Sequence, residues 1–415
     1  MMSVPAKRFA MLRDAIHAQS FAPAAVTRRV GAEVELLALD AATGFPVPLV
    51  SGRRSLVHLL RRYAVAQGWQ ELVGYGAVPR FDIPGQGIIS FEPGGQLELS
   101  ANPCDSVTEL VSRLRGIVAL LRAALRDEGV QLDSIGIDPL NDARDIPLQL
   151  LVDRYETMTR YFDQRGPFGI RMMRQTAAIQ VSLDRGSKPA GRWRLLNDLA
   201  PYITAIFANS PHYLAEDTGH RSYRAHCWRM LDPTRTGMAL RDDDPAAAYT
   251  RFALAANAMW PGRDSDATDP DAAAWQTHLT TLFPEVRPRG HFEVRSCDAI
   301  DCDFYAAPIV FLTGLTYDDR SAREASILAD DSRALLRAAG EVGLHDPSIA
   351  RTSRDLFQLA LDGARRLGDA YCGAAELETA ADFFAIYTAL DRSPADDRSL
   401  PARAIQRASA IAPSR

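Results

Sequence analysis

Four separate stretches of this 415-residue chain alternate apolar and polar residues, and carboxylates recur on the polar side. In GAEVELLAL, Glu33 and Glu35 share one face of a strand, because side chains two positions apart point the same way. The other three stretches repeat the pattern with the polar sets Gln96 and Glu98; Thr176, Gln180, Ser182 and Asp184; and His291, Glu293 and Arg295. The pattern predicts a sheet with one apolar face and one acidic face.

A further carboxylate precedes the second of these stretches, in the sequence FEPGGQLELS. Glu92 and Glu98 lie on either side of a Pro-Gly-Gly turn. Because glycine permits tight turns and close approach of the backbone, Gly94 and Gly95 are expected to bring the two glutamates together, next to a bound nucleotide.

The acidic face has two interpretations. Each polar set is individually typical of the solvated side of a sheet. Solvated faces are usually rich in Thr, Lys, Arg and Ser, however, whereas these carry paired glutamates that repel one another unless a cation lies between them. Hard divalent cations such as Mg²⁺ prefer oxygen ligands, so the four strands together favour a site for two or more metal ions.

The predicted strands are spread from residue 30 to 297, with no internal repeat and no convincing linker. We therefore expect a single domain over residues 1–415, with a strand-bearing core at about 28–320 and a helical part at about 321–395. Strands and helices do not alternate strictly, which favours an α+β fold with a mainly antiparallel sheet. The clearest helix covers residues 105–128 and opens at Asp105 or Ser106, with a glutamate three residues after the serine.

Lysine is almost absent, since Lys7 and Lys188 are the only two in the chain. A Walker A loop needs a Gly-Lys pair and a pyridoxal-phosphate enzyme needs a Schiff-base lysine, and Lys188 lies in a polar, turn-like sequence. Any phosphate must therefore be bound by arginine and metal ions.

The formal net charge of −5 gives no basic field for nucleic acid or an anionic membrane. The N-terminal sequence lacks the apolar core of a signal peptide and no apolar run is long enough to span a bilayer, so a cytoplasmic protein with small-molecule substrates is expected. Five scattered cysteines without Cys-x-x-Cys spacing indicate neither a disulfide framework nor a zinc site.

Several long motifs resemble the plant-type family of glutamate-cysteine ligases, which includes many bacterial enzymes. They cover about residues 30–320 and are, in order, GAEVE (31–35), EPGGQLELS (92–100), RYETM (154–158), MMRQTAAIQVSLD (172–184), ANSP (208–211), RAHCW (224–228), DPTRTG (232–237), HLTTLFPEVRPR (278–289) and FEVRSCDA (292–299). The resemblance implies a glutamine-synthetase-like fold, in which a curved antiparallel sheet forms a funnel surrounded by helices. It also implies ATP-dependent joining of glutamate to cysteine through a γ-glutamyl phosphate, as the first step of a glutathione or ergothioneine pathway.

The resemblance assigns roles to matching residues. The implied Mg²⁺ ligands are Glu33, Glu35, Glu92, Glu98 and Glu293. The implied catalytic residues are Glu33, Glu98, Glu293 and Arg295, and the implied ATP-binding residues are Gln180, Thr176 and Arg295. The implied substrate-binding residues are Arg224, Arg235, Trp228 and Tyr155, of which the arginines suit carboxylates or phosphates. Each arginine has an alternative role as a structural ion pair, and Trp228 as a core residue.

This sequence departs from the family pattern at several points. Val34 stands where many relatives have histidine, Ser182 replaces a common asparagine, and the stretch between Trp260 and Trp275 is short and acidic. The last difference leaves open a ligase of the same fold that uses another amine. A catalytically inert relative is a third alternative, although the retained glutamate cluster argues against it. Monomer and homodimer are both compatible with the sequence.

Overall fold

The computed structural model of the chain describes residues 6–25, 27–239, 241–257, 259 and 272–399. Its strands are β1 (Val30–Asp40), β2 (Gln70–Tyr75), β3 (Val78–Ile83), β4 (Gly87–Phe91), β5 (Leu97–Ala101), β6 (Val130–Asp133), β7 (Ala178–Leu183), β8 (His212–Tyr213), β9 (Glu216–Asp217), β10 (Val286–Pro288) and β11 (Phe292–Asp298). Nine of them form one sheet in the order β10-β11-β7-β1-β5-β4-β3-β2, with β6 also paired to β1. Every pairing in that sheet is antiparallel, as predicted.

Helices surround this sheet. They are α1 (Ala6–Ile16), α2 (Leu56–Gln67), α3 (Val107–Asp127), α4 (Asp153–Asp163), α5 (Phe168–Gln175), α6 (Pro189–Ile206), α7 (Tyr223–Leu231), α8 (Pro233–Thr236), α9 (Pro245–Ala255), α10 (Ala272–Leu279), α11 (Ala306–Tyr317), α12 (Asp319–Leu328), α13 (Leu336–Glu341), α14 (Pro347–Leu367) and α15 (Ala374–Ile386). In the described part of the chain, no helix is long and apolar enough to cross a membrane. The cap of α3 is as predicted, because Ser106 accepts a hydrogen bond from the Glu109 amide at 3.1 Å.

Strand β1 organises the sheet. Its first half pairs with β5 on one side and β7 on the other, and its second half pairs with β6. Val34 and Leu36 are completely buried on the apolar face, which α3 covers at β1 and β5, α11 at β7 and α6 at β11. Helix α11 is buried on all sides, because α14 and α15 pack against it from outside. The C-terminal helices therefore form mainly a second layer on α11.

Strands β2 and β3 extend the sheet beyond the predicted set. Gly74, Gly76 and Pro79 interrupt the alternation that marks the other strands, and β2 lies at the edge of the sheet with four of its six residues exposed. The sequence pattern was therefore too weak to indicate them.

The Pro-Gly-Gly turn joins β4 to β5 and fixes the position of Glu92. The Glu92 amide donates to the Gln96 carbonyl at 2.9 Å, and Gly95 has a positive φ of 95°. A Cβ atom on Gly94 would lie 2.0 Å from the Arg174 carbonyl oxygen. Gly94 therefore allows close packing on the end of α5, and the groups that the two glycines approach in this structure are the Arg174 backbone and the Gln149 side chain.

Replacing Gly94 by alanine is expected to destabilise the fold by about 2–3 kcal/mol, since a backbone carbonyl would have to move. Gly116→Ala is a matched control in exposed α3, where a Cβ has nothing within 4 Å, and it should stabilise by about 0.5–1 kcal/mol. Urea unfolding of both variants measures the difference, and equal stabilities would contradict the packing argument.

Candidate active site

A cavity of about 300 Å³ lies on the acidic face of the sheet. Ten of the residues predicted for the site line it: Glu33, Glu35, Glu92, Glu98, Tyr155, Thr176, Gln180, Arg224, Trp228 and Arg295. Two others, Glu293 and Arg235, do not. We call this space the catalytic cavity.

The strand register places the carboxylates side by side. Glu35 of β1 lies directly opposite Glu98 of β5, and Glu33 lies opposite Gln180 of β7. Glu92 reaches the same group from the turn and interacts with Glu98 by charge and a hydrogen bond. Residues that are far apart in the sequence thus form one acidic wall.

The acidic wall is electrostatically unfavourable without a cation. Burial, followed by the charges of Glu98 and Glu293, raises the pKa of Glu33 to about 8. Burial and the charge of Glu98 raise the pKa of Glu35 to about 7. The same two causes, burial first, raise the pKa of Glu92 well above its ordinary value. Bound cations would relieve this repulsion.

Hydrogen bonds fix two of the carboxylates. Glu35 accepts from the Ala178 amide at 2.8 Å and from Gln180 Nε2 at 2.7 Å. Glu98 accepts from Ser100 Oγ at 2.9 Å and from Ser90 Oγ at 3.3 Å. Both side chains are therefore oriented by the neighbouring strands before any ligand binds.

The acidic wall fits Mg²⁺ by its chemistry and by its spacing. Its donors are carboxylate oxygens, which hard cations prefer. Within the described residues, the only group of three potential ligand atoms that all lie within 4.8 Å of one another is Asp301, Cys302 and Asp303, outside this cavity. The glutamates thus offer an ion one or two carboxylates at a time, which suits Mg²⁺ because it usually retains waters and binds substrate phosphates.

Glu293 is surrounded by arginines. Its carboxylate lies 2.6 Å from Arg287 Nη2, 2.9 Å from Arg295 Nη1 and 3.4 Å from Arg289 Nη1. Burial favours the neutral form, but these three positive charges outweigh it and hold the pKa of Glu293 far below its ordinary value. In this structure Glu293 orients arginines, and its role as a Mg²⁺ ligand stays a prediction.

Arg224, Arg295 and Trp228 form a basic wall that faces the glutamates. Arg224 donates to the Arg295 carbonyl at 2.9 Å, and both guanidinium groups lie within 6 Å of the Trp228 ring centre, at 5.0 and 5.7 Å. The Nε atoms of both arginines are buried and have no hydrogen-bond partner among the described residues. Two buried donors without acceptors are suited to an anionic ligand.

Arg235 is fully buried outside the catalytic cavity. It donates to Thr281 Oγ1 at 2.7 Å and to the Asn257 carbonyl, and its Nε lies 3.6 Å from Asp232. Its own carbonyl accepts from the Phe283 amide at 2.8 Å, while the Phe283 carbonyl accepts from Trp228 Nε1 at 2.9 Å. Arg235 thus supports the segment that positions Trp228, and because it does not line the cavity, its predicted role in substrate binding stays a prediction.

Two further predicted residues have defined neighbours. Thr176 uses its hydroxyl to donate to the Met172 carbonyl at 2.7 Å, so its contribution to the cavity is limited to shape and backbone. The Tyr155 ring packs edge-on against Tyr75 with 5.5 Å between ring centres. Both residues line the catalytic cavity.

Other lining residues were not identified from the sequence: Tyr75, Gln96, Arg154, Met158, Met172, Met173, Thr280, Phe283, Arg287 and Arg289. The last two belong to the motif HLTTLFPEVRPR and are two apart near a short strand, so strand periodicity would have placed them on one face. Gln96 shares a face with Glu98, but it also donates to the Thr176 carbonyl at 2.9 Å and so joins the turn to β7. Tyr75 comes from a strand that the sequence did not indicate.

The antiparallel sheet with its acidic cavity places the chain in the class of glutamine-synthetase-like ligases. The chain belongs to glutamate-cysteine ligase family 2, whose family model matches residues 29–365. The resemblance seen in the motifs is thereby confirmed.

Relatives and solved structures agree with this assignment. The chain is 33% identical over 358 residues to the glutamate-cysteine ligase EgtA of Mycolicibacterium smegmatis, covering 80% of this chain and 81% of that protein. It is 30% identical over 375 residues to the chloroplastic glutamate-cysteine ligase A of Oryza sativa subsp. japonica, covering 82% and 75%. The crystal structure of glutamate-cysteine ligase from Francisella tularensis in complex with AMP has a similar fold, with a TM-score of 0.54 at 13% identity over 92% of each chain.

The buried glutamates should make the metal-free protein less stable as pH rises. Unfolded glutamate loses its proton near its ordinary pKa of about 4.5, whereas folded Glu33 retains it up to a pKa of about 8. Between these values the folded state binds more protons, so the free energy of unfolding falls with increasing pH. In EDTA at pH 8, Glu33→Gln should therefore raise the free energy of unfolding by about 2 kcal/mol.

Urea unfolding at pH 5 and pH 8 measures this effect. Glu216→Gln, on the exposed strand β9, serves as the matched control and should change nothing. A Glu33→Gln protein that is less stable than wild type at pH 8 would contradict the repulsive role of this carboxylate.

Proposed function

We propose that this protein is an ATP- and Mg²⁺-dependent glutamate-cysteine ligase. The observation that carries the proposal is the cavity itself. One of its walls carries four glutamates, and the wall that faces them carries buried arginines. The proposed substrates, glutamate and cysteine, are supported by the membership of the chain in glutamate-cysteine ligase family 2 and by the names of its relatives. The reaction converts ATP, glutamate and cysteine into γ-glutamylcysteine, ADP and phosphate.

The acidic wall would hold the metal ions. Glu33, Glu35, Glu92 and Glu98 are the candidate ligands, since they lie together at the cavity, Glu35 buried and the other three partly buried, and repel one another without a cation. Bound Mg²⁺ supplies charge neutralisation, which lets the triphosphate and the γ-carboxylate of glutamate approach each other. Gln180 fixes Glu35 and accepts a hydrogen bond from Arg295, so it orients both walls.

The basic wall would bind the anionic groups of the substrates. Arg224 and Arg295 offer their free Nε–H groups to the α-carboxylate of glutamate, and Arg287 and Arg289 lie where they can reach a phosphate. The γ-carboxylate takes the terminal phosphoryl group of ATP, and the amine of cysteine then displaces phosphate from the acyl carbon. The amine loses its proton to a nearby carboxylate or phosphate oxygen, so no histidine is needed.

Cysteine would bind beside the apolar part of the cavity lining. Tyr75, Tyr155, Met158, Met172 and Met173 line that part and provide a soft surface for a thiol. Most of the short acidic stretch between Trp260 and Trp275, the departure from the family pattern that left the choice of amine open, lies outside the described residues. A cytoplasmic location, a monomeric or homodimeric state, and a product that enters glutathione or ergothioneine synthesis belong to the same proposal.

ADP release with ATP, Mg²⁺, glutamate and a panel of amines tests the function. Cysteine should stimulate ADP release far more than alanine, serine or 2-aminobutyrate, and EDTA should abolish it. Strong stimulation by another amine, with none by cysteine, would replace this proposal with a ligase of the same fold and different specificity. No ADP release with any amine would favour the catalytically inert relative.

Glu98→Gln is expected to reduce kcat/KM by about 100-fold or more, because the amide keeps the shape and removes the charge. Glu216→Gln again provides the exposed control and should retain full activity. Unchanged activity in Glu98→Gln would contradict the assignment of Glu98 to the metal site.

A further inference from the structure

A second cavity of about 610 Å³ shares no lining residue with the catalytic cavity. It lies at the opposite end of β1 from Glu33, where Leu39 and Ala41 contribute to its wall beside strand β6. A small apolar cluster of Leu37, Leu39, Ala177 and Ala299, with Ile135 packed against it, lies at this end of the strand. We call this second space the distal cavity.

Part of the distal cavity is apolar. The apolar side chains of this wall come from β1, β6 and the segment that follows β6, and they are Leu39, Val130, Leu132, Ile135, Ile137 and Leu140. Such a surface can bury the hydrocarbon or aromatic part of a small ligand.

Three arginines line the same space. Arg122 is committed to protein partners, since it donates to Ser134 Oγ at 2.8 Å and lies 3.5 Å from Asp301. The side chain of Arg126, one turn further along α3, has no hydrogen bond or ion pair among the described residues. Its guanidinium group is exposed and can bind an anion without breaking an existing contact.

Hydrogen bonds to neighbouring residues hold the Arg398 side chain in place. It donates to Asn209 Oδ1 at 2.7 Å and to the Ser134 carbonyl at 3.0 Å, which leaves its positive charge without a carboxylate within 4.0 Å among the described residues. Two acidic residues, Asp133 and Asp301, also line the cavity. Asp301 is paired with Arg122, and burial raises the pKa of Asp133 above its ordinary value. The cavity is thus lined by three arginines and two aspartates, which leaves an excess of positive charge, and Arg126 is the arginine whose guanidinium group has no partner among the described residues.

From these features we propose that the distal cavity binds a small organic anion. The carboxylate, sulfonate or phosphate group of the ligand would contact Arg126 and Arg398, and its apolar body would lie against the β6 side.

The distal cavity is connected to the catalytic cavity by one buried carboxylate. Asn209 and Ser210 line the distal cavity, and both donate to Asp298 Oδ2. Asn209 donates through its backbone amide at 2.8 Å and Ser210 through its Oγ at 2.6 Å. The other oxygen, Asp298 Oδ1, lies 3.7 Å from Arg224 Nη1 in the catalytic cavity. A ligand that shifts Asn209 would therefore act on a residue proposed to bind glutamate, and this coupling rests on the proposed function.

Fluorescence titration with 8-anilinonaphthalene-1-sulfonate tests the site, because this probe carries a sulfonate on an apolar body. Arg126→Glu replaces the positive charge at position 126 with a negative one, and Ala41→Trp narrows the distal cavity at the end of β1. Each should weaken binding by about 10-fold or more, which corresponds to about 1.4 kcal/mol. Arg115→Glu, on α3 but outside the cavity, is the matched control and should bind like wild type.

Two binding results would overturn the site. One is unchanged affinity in both Arg126→Glu and Ala41→Trp. The other is strictly competitive displacement of the probe by ATP, Mg²⁺ and glutamate, which would place the probe in the catalytic cavity, whereas the proposed coupling predicts only a limited change in probe affinity that levels off as these substrates saturate. These measurements do not depend on ligase activity, so they stay informative if the proposed function fails.

Kinetics test the coupling separately. Saturating probe should change the KM for glutamate at least 2-fold in the wild type and leave it unchanged in Ala41→Trp. If the KM for glutamate stays the same while the probe is bound, the proposed coupling through Asp298 is wrong.

Discussion

Repulsion between buried glutamates is the constraint on which the rest of this structure depends. Glu33, Glu35, Glu92 and Glu98 lie together on one side of a sheet whose other side is packed with apolar residues. The raised pKa values of Glu33, Glu35 and Glu92 reflect free energy that is recovered only when protons or cations bind. The sheet can hold them there because its apolar face is stabilised by helices on the opposite side.

Arginine balances this charge from the other wall of the cavity. Arg287, Arg289 and Arg295 converge on Glu293, and Arg224 is held between Asp298 and the Arg295 backbone. A planar guanidinium can satisfy one carboxylate and still present a free N–H group, which the point charge of lysine does less well. The near absence of lysine from the sequence is thus compatible with a cavity that handles several anions.

Much of the site followed from strand periodicity and from the family motifs. Alternation placed Glu33 with Glu35 and Gln96 with Glu98, and the antiparallel sheet brought these strands together as expected. Periodicity failed where the alternation is broken, as in β2, and so it could not indicate Tyr75. It also could not separate the arginines that reach the cavity from Arg235, because both kinds lie in family motifs and differ only in their neighbours.

The sequence by itself determined which residues share a face, because that depends only on the two-residue repeat of a strand. It determined the likeness to a ligase family, because long motifs are specific. Only the tertiary structure decided which faces meet: that the turn between Glu92 and Glu98 packs on Arg174, that Glu293 is enclosed by three arginines, and that a distal cavity lies at the other end of β1. Those outcomes depend on strand order, register and side-chain packing between segments hundreds of residues apart, and no local pattern carries that information.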